Sequence, residues 1–218
     1  KAAGIVAVSD DGACVQDSGV FRRGLEYAGD LGLVTLTHCQ DKGLHAGGAM
    51  NESELCSRLG LPGSPALAEE VMLARDVLVA SETGCRVHIV HVSTARGLAI
   101  IRQAKASGAP VSCEATPHHL LLTEQATANY DTNAKMYPPL RREADRLALI
   151  EGLRDGTIDA IATDHAPHAY DEKNRDFETA PNGMIGLQSL LPSVITLHRD
   201  YGLDLSHLIA CLTCRPAK

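Results

Sequence analysis

Two rhythms of apolar residues alternate along the chain. Short runs of apolar and β-branched residues at 4–9 (GIVAVS), 33–37, 86–92, 110–115 and 158–163 read as buried strands. Between and after them, longer stretches at 21–31, 64–83, 95–107, 145–154 and 186–198 read as helices. Gly32, Gly84, Gly108 and Gly156 each stand just past one of these helices, where left-handed backbone commonly ends a helix. Pro65 stands near the start of the 64–83 helix. In that helix Leu67, Val71, Ala74 and Leu78 form a stripe predicted to face the core. Asp10-Asp11-Gly12 is a turn signal closing the first strand.

Strands alternating with helices predict βαβ units and a parallel sheet, either doubly wound or closed as a (β/α)8 barrel. The polar residues decide between them. Asp11, His38, His91, His118 and Asp164 fall at or just past the ends of five different predicted strands. Groups from many strand ends converge at the top of a barrel, whereas an open sheet spreads them along an edge. The predicted strands start about 38 residues apart, so eight units would need roughly 300 residues. The expectation is a partial barrel of about five βα units, one incomplete domain over 1–218, cut at both ends.

Composition narrows the field. With 44% hydrophobic and 22% charged residues the chain can build a soluble core. Its longest apolar stretches, such as 189–197, fall far short of the roughly 20 residues of a membrane span. A formal net charge of −7 argues against a general nucleic-acid binder. Seven cysteines, an odd number with no leader ahead of them, fit a reduced cytoplasmic protein. Cys211 and Cys214 form a C-x-x-C without a second pair, weak support for zinc or redox chemistry.

Ten histidines point toward metal chemistry. Imidazoles and carboxylates at several strand ends suggest a binuclear site, since both are ligands of Zn²⁺ and similar ions. His88-Ile89-Val90-His91 reads as an alternating strand with both imidazoles toward one face. The sharpest segment is 162–168 (ATDHAPH): an aspartate at a strand end, two histidines and a proline-stiffened turn. The plainer reading makes Asp164 a helix cap. The segment 116–120 (TPHHL) is a second polar cluster, 138–141 (PPLR) a stiff turn that could simply connect elements, and 180–183 (APNG) a loop in which Gly183 lets a ligand approach the backbone.

The order and spacing of SDDG (9–12), THCQD (37–41), MNESELCSRLGLPG (50–63), HIVHVST (88–94), CEATPHHLLLTE (113–124), PPLR (138–141), GTIDAIATDHAPH (156–168) and DEK (171–173) resemble the bacterial-type dihydroorotases, within the cyclic amidohydrolases. The resemblance covers the whole chain and implies a (β/α)8 barrel with two zinc ions per complete active site. It makes Asp11 the bridging carboxylate, His38 and His91 the imidazole ligands of the second metal, and Asp164 a ligand of the first metal and the catalytic base. His168 becomes a substrate contact, and Asn182 and Gly183 the loop touching the ring. Tyr137 stands where the family usually has a substrate-contacting Asn. No H-x-H precedes Asp11, so the first metal's other two ligands and the arginine for the substrate carboxylate are absent.

The implied chemistry is metal-assisted, reversible hydrolysis of dihydroorotate to N-carbamoyl-L-aspartate, the third step of de novo pyrimidine synthesis. The implied macromolecular partners are a second copy in a homodimer and aspartate transcarbamoylase. Allantoinase and dihydropyrimidinase are the nearest alternative, but such relatives usually bridge their metals with a carboxylated lysine, and 4–11 holds none. A non-catalytic homologue scaffolding the transcarbamoylase is the other; every ligand position within the chain is kept, whereas Tyr137 favours it mildly. Residues 1–218 alone are expected to be inactive and poorly folded, with two raw parallel edges.

Overall fold

The computed structural model describes residues 2–218. Its elements, in chain order, are β1 (Ala7–Ser9), α1 (Ser18–Asp30), β2 (Val34–Thr37), α2 (Lys42–His45), β3 (Met50–Asn51), α3 (Glu54–Leu59), β4 (Gly63–Ser64), α4 (Leu67–Thr83), β5 (Val87–Ile89), α5 (Ala95–Ala106), β6 (Val111–Ala115), α6 (Pro117–Leu121), α7 (Glu143–Arg154), β7 (Ala160–Ile161), α8 (Tyr170–Lys173), α9 (Leu187–Tyr201) and α10 (Leu205–Leu212). Five strands form one sheet in the order β1-β2-β5-β6-β7, every pair parallel. β3 and β4 pair separately, also in parallel. No helix of the described residues is long and apolar enough to cross a membrane.

The period-2 pleat sorts the sheet's two faces. Val87, Ile89, Val111 and Cys113 pack into one core with Leu73 and Val77 of α4, Leu98 and Ile101 of α5, Leu149 and Leu153 of α7, and Leu197 of α9. The alternate residues Leu36, His88, Ser112 and Glu114 line an open cavity of about 1130 Å³ on the opposite face. β1 is an edge strand flanked by exposed apolar side chains, among them Val6 at 80%.

All five predicted strands and all five predicted helices are present, with shifted bounds. α1 starts at Ser18 because the Asp17 carboxylate accepts from the Val20 N–H at 2.7 Å. β5 stops at Ile89 rather than 92. β3, β4 and α10 add elements the periodicity did not indicate. The α4 stripe is a correction: Leu67, Val71 and Leu78 face outward, Leu78 being 69% exposed. The buried side is Ala68, Met72, Leu73, Val77 and Ala80. Gly97 on α5 lets the two helices approach closely; a Cβ there would stand 3.1 Å from Leu73 Cδ1. Glu69 and Asp76, which made this side look polar, find buried partners in Ser93, Thr94, Arg75 and Cys39.

Candidate metal centre

The strand ends supply the polar groups. After β1 the chain turns through Asp10, whose two carboxylate oxygens accept from the His38 and Val15 N–H groups, each at 2.9 Å. This holds the β1 turn against the end of β2 and leaves the Asp11 carboxylate beside the two imidazoles. Asp11 Oδ1 lies 3.3 Å from His38 Nδ1 and 3.4 Å from His91 Nε2, and those two nitrogens are 2.9 Å apart. Zinc bond lengths place tetrahedral N and O ligands about 3.3 Å apart, so this triangle has the dimensions of one face of such a site. Among the described residues it is the group that could hold a metal ion.

The surroundings favour ligation. His38 Nε2 is 3.1 Å from Gln40 Oε1, which orients the ring with Nδ1 facing the cluster. His91 Nδ1 is buried without a partner. Hydrogen bonds to His38 and His91 hold the Asp11 carboxyl well below its usual range, against the opposing effect of burial. Burial pulls the His91 imidazole down, but Asp11 and Asp164 reverse this and leave it raised.

Two of the groups need unusual backbone. His91 has φ 38° and Asp164 has φ 45°, left-handed values that a non-glycine residue rarely takes without a reason. The turn at His91 separates the two histidines that the sequence set on one face. Residues three apart in a regular strand point to opposite sides, and β5 ends before His91 is reached. His88 instead bonds Ser112 Oγ at 2.8 Å and Glu114 Oε2 at 3.0 Å on β6. Asp164 follows β7 and caps no helix among the described residues. Its carboxyl lies outside the tight triangle, yet it is close enough to feel His91, Asp11 and His38. Burial is the main reason its pKa is raised.

His118 opens α6 as a buried, neutral imidazole. Burial and the nearby His91 hold its pKa down at about 3, and its Nε2 has no partner. Its neighbour His119 is fully satisfied, with Nδ1 2.8 Å from Thr116 Oγ1 and Nε2 2.9 Å from the Pro138 carbonyl. Tyr137 lies with its ring 5.6 Å from that of His38 and edge-on to His45 at 4.6 Å. Its hydroxyl is 3.4 Å from Ser64 Oγ. His168, Asn182 and Gly183 form a second group. His168 Nε2 is 2.9 Å from the Asn182 carbonyl, and a Cβ on Gly183 would stand 2.6 Å from the Ala166 carbonyl.

Comparison with known proteins adds the decisive observation. Residues 1–97 match the dihydro-orotase-like family profile. Over all 218 residues the chain is 50% identical to a dihydroorotase of Syntrophus aciditrophicus, covering 51% of it. Over 196 residues, 90% of this chain, it is 55% identical to a dihydroorotase of Pelotomaculum thermopropionicum, covering 46% of it. Over its whole length the chain is thus similar to one part of known dihydroorotases. It spans about half the length of the curated relatives it matches. Among solved structures it is similar to the L-hydantoinase (dihydropyrimidinase) of Arthrobacter aurescens. There the TM-score is 0.81 at 27% identity, covering 97% of this chain and 49% of that one.

Several residues matter to the site although the sequence gave them no individual role. Gln40 orients His38, and Ser64 and His45 surround Tyr137. His165 accepts from the Gly186 N–H at 2.9 Å and so caps the start of α9. Arg141, in the stiff turn, is 3% exposed and donates to Ser93 Oγ, Asn51 Oδ1 and the Ser64 carbonyl. An arginine inside an otherwise apolar Pro-Pro-Leu run was the available signal for that burial.

Proposed function

We propose that this chain is the metal-holding part of a dihydroorotase, interconverting dihydroorotate and N-carbamoyl-L-aspartate by hydrolysis of a cyclic amide. The observation that carries the reading is the convergence of Asp11, His38 and His91 at three strand ends, with ligand atoms within 4.8 Å of one another. Identity of about half to curated dihydroorotases supports the substrate. The residues fit a metal by two signs: the spacing of their atoms, and a donor set of one carboxylate and two imidazoles.

In this reading Asp11, His38 and His91 hold one divalent ion, and Asp11 and Asp164 share in holding a second, both zinc. Bound there, the ions would supply Lewis acidity, polarising a carbonyl and acidifying water. Asp164 takes the proton from the attacking water and returns it to the departing ring nitrogen. A carboxylate whose pKa is raised by burial is the stronger base at that first step. His168, with Asn182 and Gly183, contacts the ring, and Tyr137 closes the side next to His38. The five-stranded sheet is then the last part of a (β/α)8 barrel, the whole of 1–218 belonging to that one domain.

The test is co-expression with the upstream half of the Syntrophus aciditrophicus relative, followed by assay of dihydroorotate, hydantoin and allantoin hydrolysis. Zinc-dependent turnover of dihydroorotate is expected from the pair, and none from residues 1–218 alone. Turnover of hydantoin or allantoin with none of dihydroorotate would overturn the substrate.

A further inference from the structure

The 3-10 turn at Thr132–Ala134, ending in Lys135, and the loop 178–183 are stitched together by lysines. Lys135 and Lys173 are only 5% and 9% exposed, a depth that lysine rarely reaches without partners. The Lys173 ammonium donates to the carbonyls of Pro181 at 2.8 Å, Thr132 at 2.9 Å and Lys135 at 3.4 Å. The Lys135 ammonium donates to the carbonyls of Ala180 at 2.7 Å and Glu178 at 2.9 Å, and lies 5.5 Å from the centre of the Phe177 ring. Neither makes an ion pair among the described residues. The backbone answers in kind: the Gly183 N–H donates to the Lys135 carbonyl at 3.0 Å, and the Thr132 hydroxyl to the Lys173 carbonyl at 2.5 Å.

A carboxylate partner would neutralise a buried ammonium from a flexible side chain. Backbone carbonyls solvate it only while the backbone keeps its path, because each carbonyl that turns away leaves a buried charge short of a partner. Three carbonyl contacts, to Glu178, Ala180 and Pro181, therefore tie the charge of two lysines to the course of the 178–183 loop, and two more, to Thr132 and Lys135, anchor it to 132–135. That loop ends at Asn182 and Gly183, and the Asn182 carbonyl is the group that His168 bonds.

We propose that Lys135 and Lys173 are positioning residues, a paired ammonium clamp that fixes the backbone of 178–183 so that Asn182 and Gly183 are presented, with His168, to a small cyclic amide. The identity of that ring rests on the dihydroorotase reading; the clamp itself is tested without any substrate.

The experiment is hydrogen–deuterium exchange read by mass spectrometry on the two-part assembly, without substrate, comparing wild type with Lys135→Met, Lys173→Met, Lys135→Arg and Lys173→Arg. In each Met variant the peptides over 176–184 should exchange at least tenfold faster, while peptides over β5 and β6 keep their wild-type rates. The Arg variants, which keep charge and donors, should return the loop to within threefold of wild type. Should the Met variants lose the fold, Thr132→Val, which removes only the hydroxyl bond onto Lys173, should still speed the loop about threefold. Unchanged loop exchange in the Met variants, an equal rise in the strand peptides, or no rescue by arginine would overturn the clamp. Failure of the two-part assembly to hydrolyse dihydroorotate, with loop exchange behaving as stated, would reject the substrate and leave the clamp standing.

Discussion

Two buried polar clusters lie beyond the strand ends, and they differ in what each leaves unfinished. Around Arg141 the partners close on one another. Glu69 accepts from the backbone and hydroxyls of both Ser93 and Thr94, and Arg141 donates to Ser93, Asn51 and Ser64. Asn51 in turn donates to Glu124 at 2.6 Å. Around Asp11 the pattern is reversed: a half-exposed carboxylate, a buried nitrogen with no partner, and two residues in left-handed backbone. A satisfied network defines where loops dock. An unsatisfied, strained one persists when something outside the chain completes it.

The comparison breaks first at Asp164. Asp164→Asn in the two-part assembly should lower turnover by about 10²–10⁴-fold, the usual contribution of a positioned acid–base group, while leaving unfolding unchanged. Loss of less than tenfold, about 1.4 kcal/mol of barrier, would remove Asp164 from that role. Arg141→Met should do the opposite, costing about 3–5 kcal/mol in urea unfolding because Glu69 is left buried without its cation. Asp11→Asn should move stability by less than about 1 kcal/mol, as its carboxylate is half exposed, yet abolish zinc uptake measured by calorimetry. An Asp11 variant as unstable as the Arg141 variant would merge the two clusters into one kind. Gln40→Ala leaves His38 in place without its orienting partner, and zinc affinity should fall about 10–100-fold.

Acid perturbs the fold without any substitution. Burial keeps His118 neutral in the folded chain down to about 3, against an ordinary 6.5, and holds His119 well down too. Below about 6.5 the unfolded chain takes up protons that the folded one refuses, so folding is favoured above that pH and weakens as pH falls toward 3. The slope should approach about 1.4 kcal/mol per pH unit for each histidine. Urea midpoints measured from pH 7 to 4 check it, and His119→Asn should make the dependence shallower.

The elements that position the site were legible because apolar runs of strand length stop abruptly at polar residues. That alone placed Asp11, His38, His91 and Asp164 at strand ends. Side-chain direction was less legible. Two apolar stripes run along α4, and the one chosen by spacing faces outward because acidic Glu69 and Asp76 disguise the buried one. His88 and His91 were set together by ignoring the odd number of steps between them. The lysine clamp left no trace in the sequence, since its partners are carbonyl oxygens, which every residue carries. β3 and β4 are two residues each, too short for any period to show.

Strand order in the main sheet follows chain order: β1, β2, β5, β6 and β7 each lie beside the one before. A growing chain that emerges from its N-terminal end therefore never has to insert a strand between two already joined. Each new βα unit meets an edge that its predecessor has just laid down, and covers that edge as it docks. Assembly can proceed by accretion at one advancing margin, with little of the sheet waiting uncovered at any moment.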